Sequence, residues 1–275
     1  MVLFLYFYIM KNSPIGIFDS GIGGLTVANA IKRVLPNENI IYFGDTEHLP
    51  YGEKSKEAIQ NFSKKIIKFL VAKECKIIII ACNSASSVAD KSVTNIAGNT
   101  SIFNVIDPIV EEGIKQYANS SIGVIGTKAT ISSGIYEKKI TEIYSNINVH
   151  SLTAPLLAPM IEEGFIDEAI SNTVIANYLS NTKLANIDHL ILACTHYPLI
   201  QQKIKDYYKG DVNVIDSTNI IANYIAKQLK EDNLLNISKS TKHHFYVSNY
   251  TESFEKSAKF FFRKVIKLEE VNLFN

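Results

Sequence analysis

Two cysteines in this chain sit in nearly the same local sequence, Ile77-Ile78-Ile79-Ile80-Ala81-Cys82-Asn83-Ser84 and Leu190-Ile191-Leu192-Ala193-Cys194-Thr195-His196. Each follows an apolar run that ends in alanine, and small polar residues come next. That pattern reads as a buried strand opening into a turn and then a helix. Ligands of open parallel sheets bind beyond the carboxyl ends of the strands, which is where both sulfurs fall. A helix N-terminus beside each sulfur would favour thiolate over thiol. Cys75 lies before the strand, at the opposite end, and reads as a small buried hydrophobe.

Four chemistries suit two such thiols. A disulfide pair is one, although nothing here resembles a C-x-x-C redox motif. A zinc site from Cys82, Cys194 and His196 has three ligands, no obvious fourth and no standard spacing. A Cys–His nucleophile built on either sulfur leaves the other cysteine without a task. The fourth uses both alike: one thiolate takes a proton from a carbon while a thiol on the opposite face supplies one. That is stereochemical inversion, and a duplicated scaffold would supply its two similar catalytic groups.

Other residues fall on the same rim. Asp19-Ser20-Gly21-Ile22-Gly23-Gly24 is a glycine-rich strand-to-helix turn, weak as a dinucleotide fingerprint because the third glycine position is Thr26. A small-anion role suits it better, with Ser20 and backbone N–H groups holding a carboxylate. Asp19 at the strand end could take up or orient a proton near a thiol. Leu49-Pro50-Tyr51-Gly52 is a turn by composition. In Thr195-His196-Tyr197-Pro198, Thr195 is placed to cap a helix that Pro198 opens, and His196 titrates near neutrality beside a sulfur. Glu162-Glu163-Gly164 reads as a solvated helix end.

The elements that must position these residues alternate. Strands are expected at Pro14 to Phe18, Asn39 to Phe43 and Lys76 to Ala81, with helices through about Val34 and over Lys54 to Ala72, the latter placing Ile59, Phe62, Ile66 and Phe69 on one face. The second part repeats the plan, with strands at Ser121 to Ile125 and His189 to Ala193 and a helix over Gly134 to Tyr144. Three landmarks recur in order at an offset of roughly 105 to 112 residues: Ile15-Gly16-Ile17 with Ile122-Gly123-Val124, the cysteines, and Asn104-Val105-Ile106-Asp107 with Asn213-Val214-Ile215-Asp216. The expected fold is α/β, two pseudo-symmetric doubly wound domains with mostly parallel sheets and the site in the cleft between them. The first domain would comprise residues 10–105 plus 217–275, the C-terminal segment returning to it, and the second residues 106–216.

Bulk composition agrees with a globular chain. Its 275 residues are 47% hydrophobic and 20% charged, with a formal net charge of +1, so no global pull toward nucleic acid or a membrane surface is expected. Three cysteines make a poor disulfide framework and fit a reducing, cytoplasmic setting. The apolar stretch Met1 to Ile9 lacks a signal peptide's basic start and is too short to span a bilayer. It is expected to be an upstream start or an extension without a role in function, a membrane-touching anchor being the alternative.

At this point the chain resembles the glutamate racemases, cofactor-independent enzymes of bacterial cell-wall synthesis. The resemblance is carried by Gly16-Ile17-Phe18-Asp19-Ser20-Gly21-Ile22-Gly23-Gly24, Pro50-Tyr51-Gly52, Ala81-Cys82-Asn83-Ser84-Ala85, Pro159-Met160-Ile161-Glu162-Glu163-Gly164 and Cys194-Thr195-His196-Tyr197-Pro198. It implies that Cys82 and Cys194 flank Cα of glutamate as the two acid/base residues. Asp19 would assist Cys82, and His196 with Glu162 would assist Cys194, Glu163 being a rival for that glutamate. Substrate contacts would come from Asp19, Ser20, Tyr51, Gly52, Asn83, Ser84, Thr195 and His196. No cofactor and no metal are implied, and a homodimer is expected. Ser84 departs from the family's usual threonine, keeping the hydroxyl and losing a methyl. The rivals are an aspartate racemase, disfavoured by His196, and a non-catalytic binding or inhibitor protein derived from the fold.

Overall fold

The computed structural model describes residues 10–89, 91–167, 169–238 and 241–274; Met1 to Ile9, and the readings that concern them, lie outside the described residues. The first unit runs β1 (Ile15–Asp19), α1 (Leu25–Val34), β2 (Ile40–Gly44), α2 (Lys56–Ala72), β3 (Ile77–Ile80), α3 (Asn83–Val88) and β4 (Ser101–Asn104). The second runs β5 (Ser121–Gly126), α4 (Lys128–Ser132), α5 (Ile135–Ile143), β6 (Asn148–Thr153), α6 (Leu157–Glu162), α7 (Ala169–Leu179), β7 (His189–Ala193), α8 (Gln201–Tyr208) and β8 (Asn213–Ile215). The chain then forms α9 (Ser217–Glu231), β9 (His243–Val247), α10 (Glu252–Phe262) and β10 (Leu268–Glu270).

Two sheets result, ordered β10-β9-β2-β1-β3-β4 and β6-β5-β7-β8, with every pairing parallel. Parallel strands are buried on both faces, which is why β3 can be four consecutive isoleucines, each at most 1% exposed. Burying each such side chain contributes about 1.5–3 kcal/mol. The order β2-β1-β3-β4 repeats as β6-β5-β7-β8, and β9 and β10 extend the first sheet alone. Helix α9 packs against α1 on its way back, and α10 packs there too.

Strand register shows which echoes are structural. Ile15 pairs with Ile77 and Ile122 with His189, so Ile15-Gly16-Ile17 and Ile122-Gly123-Val124 are equivalent, as are Cys82 and Cys194. The Asn-Val-Ile-Asp echo is out of register. Ile77 pairs with Ser101 and His189 with Asn213, so Asn213 is equivalent to Ser101, and Asn104 to Asp216. Both Asn104 and Asp216 end their strands as caps: the Asn104 Oδ1 accepts the N–H groups of Ile106 and Asp107, and the Asp216 Oδ1 accepts that of Asn219. The shared tetrapeptide arose from strand and cap composition, not from common position.

The buried face of α2 is also rotated from the expected one, to Ile59, Ser63, Ile66, Ile67 and Leu70. Phe62 and Phe69 flank it because they serve other contacts, Phe62 stacking on His48 and Phe69 meeting Phe43 and Tyr246. At the end of β3 remote from the cysteine, the Lys76 ammonium is fully buried and donates to Glu38, to the Lys11 carbonyl and to the Leu234 carbonyl. Glu38 in turn accepts the Asn236 N–H, so one buried ion pair fastens the returning chain to the first sheet. Removing one partner would leave the other charge buried alone, at a cost of about 3–5 kcal/mol. Among the described residues no helix is long and apolar enough to cross a membrane.

Candidate active site

Beyond the carboxyl ends of β1, β3 and β7 lies a cavity of about 240 Å³. Ser20, Tyr51, Gly52, Cys82, Asn83 and Ser84 line it from the first-sheet side. Glu162, Cys194, Thr195 and His196 line it from the second, and Leu49, Pro50, Thr127, Ala158 and Pro159 complete the wall. Every residue singled out for the site faces this one space except Asp19, which lies fully buried just behind it. Glu162 is the glutamate brought in; Glu163 is exposed and faces a separate recess.

Cys82 follows β3 and caps α3, its sulfur accepting the Ala85 N–H at 3.4 Å and lying 3.6 Å from the Ser20 Oγ. The helix N-terminus does not make it a thiolate, contrary to the expectation. Burial and the Asp19 carboxylate push its pKa up to about 12, outweighing the Ala85 and Ser20 hydrogen bonds.

Cys194 follows β7, but no α-helix starts at its sulfur. The chain makes a turn and then a 3₁₀ segment over Tyr197–Ile200 before α8. Thr195 does not cap it, because Thr195 Oγ1 donates to Asp19 Oδ1 instead, at 3.4 Å. The sulfur lies 3.6 Å from His196 Nδ1, and His196 Nε2 is 2.8 Å from Glu162 Oε1. Burial alone would lower the His196 pKa. The hydrogen bonds and charges of Cys194 and Glu162 outweigh it and raise the ring's pKa well above the ordinary imidazole value.

The glycine-rich turn holds a carboxyl group, and that group is the chain's own Asp19. Its carboxylate takes the N–H groups of Gly21, at 3.2 Å, and of Gly24. Burial raises the Asp19 pKa, opposed by the nearby His196 and by these two donors. Gly23 has a steric reason as well: a Cβ there would run into the His196 ring and Thr195 Oγ1. The Thr26 hydroxyl donates to the Thr195 carbonyl at 2.9 Å, tying α1 to the Cys194 loop.

Tyr51 lines the cavity without offering it a hydroxyl. Its O–H donates to Asp45 Oδ2 at 2.6 Å, and Asp45 also accepts from Ser248 at 2.8 Å while meeting the His48 ring at 2.9 Å. Asp45 therefore pins the Leu49–Gly52 turn to the end of β9. Sequence reasoning passed over it, although its place one residue past β2, on the same rim, was a usable signal.

Three more residues were missed because of their distance along the chain. Thr127 Oγ1 is 2.8 Å from Ser84 Oγ, with Thr130 Oγ1 3.1 Å from Thr127. Tyr136 donates to Asn83 Oδ1 at 2.8 Å. Thr127 follows β5 as Ser20 follows β1, so the duplication itself could have pointed to it. Gly52 lets the two halves touch here, since a Cβ would collide with Thr127. Among the described residues no group of three or more His, Cys, Asp or Glu is arranged to hold a metal ion.

The arrangement presents two sulfurs, one from each sheet, to one small space, each with different polar neighbours. Known proteins resemble the chain in sequence and in fold. The sequence profile described as Asp/Glu/Hydantoin racemase matches residues 23–225. A protein named glutamate racemase 3 from Caldanaerobacter subterraneus subsp. tengcongensis is 40% identical over 251 residues, 91% of either chain. A glutamate racemase from Francisella tularensis, solved in complex with D-glutamate, superposes with a TM-score of 0.90 at 41% identity, covering 96% of this chain and 98% of its own. A glutamate racemase isoform from Bacillus anthracis gives the same TM-score at 36% identity and the same coverage. The chain belongs to the Asp/Glu/hydantoin racemase family and, within it, to the glutamate racemases.

Proposed function

We propose that the enzyme interconverts L- and D-glutamate by a two-base mechanism in which Cys82 and Cys194 act on opposite faces of Cα, without pyridoxal phosphate or metal. The observation that carries this reading is the pair of sulfurs from two equivalent strands lining one cavity. In one direction Cys194, facing the His196 imidazolium, takes the Cα proton. The C–H bond breaks, its electron pair stays on Cα, and an S–H bond forms. Cys82, held as a thiol by burial and by Asp19, then gives its proton to the other face. The product leaves with the proton inventory reversed, ready for the opposite enantiomer or for reset by solvent.

The Cα proton of a free amino acid is a very weak acid, so the carbanion must be stabilised as it forms. Among the described residues, no lysine or arginine lines the cavity. The carboxylates of the substrate would be met by hydroxyls and amides, with Ser20, Asn83, Ser84 and Thr127 as the side-chain donors. For Cys82 to act as base, ionised Asp19 must stop opposing its thiolate. The raised Asp19 pKa suits that, because a protonated Asp19 carries no opposing charge. The halves 10–105 with 217–275 and 106–216 would close over the substrate and exclude water. D-glutamate so formed would serve peptidoglycan precursors in the cytoplasm.

The test is incubation of the purified enzyme with L-glutamate, D-glutamate or L-aspartate in deuterium oxide, following optical activity and Cα deuterium. Racemisation of glutamate with deuterium uptake is expected, and each single Cys→Ser variant should lose about 10³-fold or more. No exchange of glutamate by folded, reduced protein would overturn the reading, and exchange of aspartate alone would reassign the substrate. Full activity in either cysteine variant would overturn the two-base mechanism.

A further inference from the structure

We propose that Phe261, on the C-terminal helix α10, is a positioning residue for the Cys194 half of the reaction, its ring fixing the His196 imidazole against the sulfur and keeping water from it. The inference rests on the racemase reading above. His196 bonds through both nitrogens, to Cys194 and to Glu162. Two bonds along the ring's edge leave it free to rock about the line joining them. Two surfaces close off that motion. One is the backbone at Gly23, where even a Cβ would collide with the imidazole. The other is Phe261, 2% exposed, with its ring centroid 5.3 Å from that of His196 and the planes at 84°. That perpendicular arrangement is one that aromatic pairs prefer, and the separation is inside their range of about 4.5–7 Å.

The origin of the two clamps makes the point sharper. His196 follows β7 of the second sheet, whereas Gly23 follows β1 and α10 lies between β9 and β10, the strands that extend only the first sheet. The segment that breaks the duplication thus supplies the ring that orients a residue of the other half. The Cys194–His196 pair is fully aligned only when the halves are together. Phe261 also walls off a recess of about 290 Å³ that reaches Glu162 and Leu199. Without the ring, water from that recess would compete for both imidazole nitrogens.

The enantiomers have equal free energy, so kcat/KM must fall equally in both directions in any variant. A role confined to one thiol therefore has to be read from primary isotope effects on 2-deuterated L- and D-glutamate, with Cys194→Ser marking the enantiomer whose proton goes to Cys194. Phe261→Leu is expected to lower kcat/KM about tenfold. It should raise the isotope effect on the marked enantiomer only and slow Cys194 alkylation by iodoacetamide severalfold without substrate. Phe261→Tyr, which keeps the ring, should restore the isotope pattern. Phe262→Leu is the control, since Phe262 is 1% exposed on the same helix but packs on Phe245. It should cost stability and leave the isotope pattern alone. Wild-type kcat/KM and alkylation in Phe261→Leu, or the same isotope pattern in both Leu variants, would overturn the proposal. The alkylation arm needs no substrate, so it separates failure of this proposal from failure of the glutamate reading.

Discussion

Around Cys82 the sulfur meets a hydroxyl, a helix N–H and, close behind, a buried carboxylate; around Cys194 it meets an imidazole backed by a glutamate. The two positions are equivalent in register, and so are their neighbours. Asp19 stands where the second unit has Gly126, Ser20 where it has Thr127, Asn83 where it has Thr195, and Ser84 where it has His196. Duplication placed two sulfurs at matching strand ends, and divergence at adjacent positions gave them opposite electrostatics. One is pushed toward the thiol by burial and a carboxylate. The other faces a ring whose pKa its partners raise. Under the proposed two-base mechanism, such surroundings would let the two sulfurs take unequal parts, which two identical sites could not do.

The sharpest way to break the comparison is on the Cys194 side. Glu162→Gln removes the carboxylate that holds the His196 ring charged and in place, and kcat/KM should fall about 10²-fold. The primary isotope effect should rise on the same enantiomer as in Cys194→Ser. A change confined to the other enantiomer would mean that Glu162 serves Cys82.

On the Cys82 side, Asp19→Asn removes the second cause of the raised thiol pKa and leaves the first, burial. In a Cys194→Ser background, the midpoint for Cys82 alkylation should move down from about 12 yet stay above the ordinary thiol value of 9.0. An unmoved midpoint would remove Asp19 from the account. A midpoint at 9.0 would mean that burial had been overrated. The smallest effect is expected from a contact that crosses between the halves but touches neither sulfur. Lys128 and Glu53 pair at 2.9 Å with exposures of 58% and 47%. Lys128→Ala should change unfolding free energy by no more than about 0.5 kcal/mol and leave kcat/KM unaltered, because exposed pairs are screened by water. A larger loss would mean that closure depends on it.

Much of this was legible along the chain. The isoleucine run before Cys82 and the Leu-Ile-Leu-Ala run before Cys194 are buried parallel strands, and such strands have a local signature. The Ile-Gly echo identified equivalent strands correctly, because a glycine in a buried strand answers to close packing: in β1 a Cβ would meet Cys75 Sγ at 3.0 Å, and in β5 Ile187 Cδ1 at 2.7 Å. The Asn-Val-Ile-Asp echo misled by three positions, since strand and cap residues recur wherever a strand ends in a capped turn. The expectation of a low thiol pKa at Cys82 failed for a different reason. A helix N-terminus is visible in sequence, whereas complete burial beside a carboxylate 63 residues away is not.

The chain by itself determined that two thiols stand at strand ends on one rim, because burial, alternation of strand and helix, and turn chemistry are properties of neighbouring residues. Only the tertiary structure decided which groups reach those thiols. His196 meets a glutamate 34 residues away, Asn83 a tyrosine 53 away, and Asp19 a threonine 176 away. The charge states of a buried site follow from desolvation and from partners within a few ångströms, and both are set by how the two halves and the returning C-terminal segment pack together.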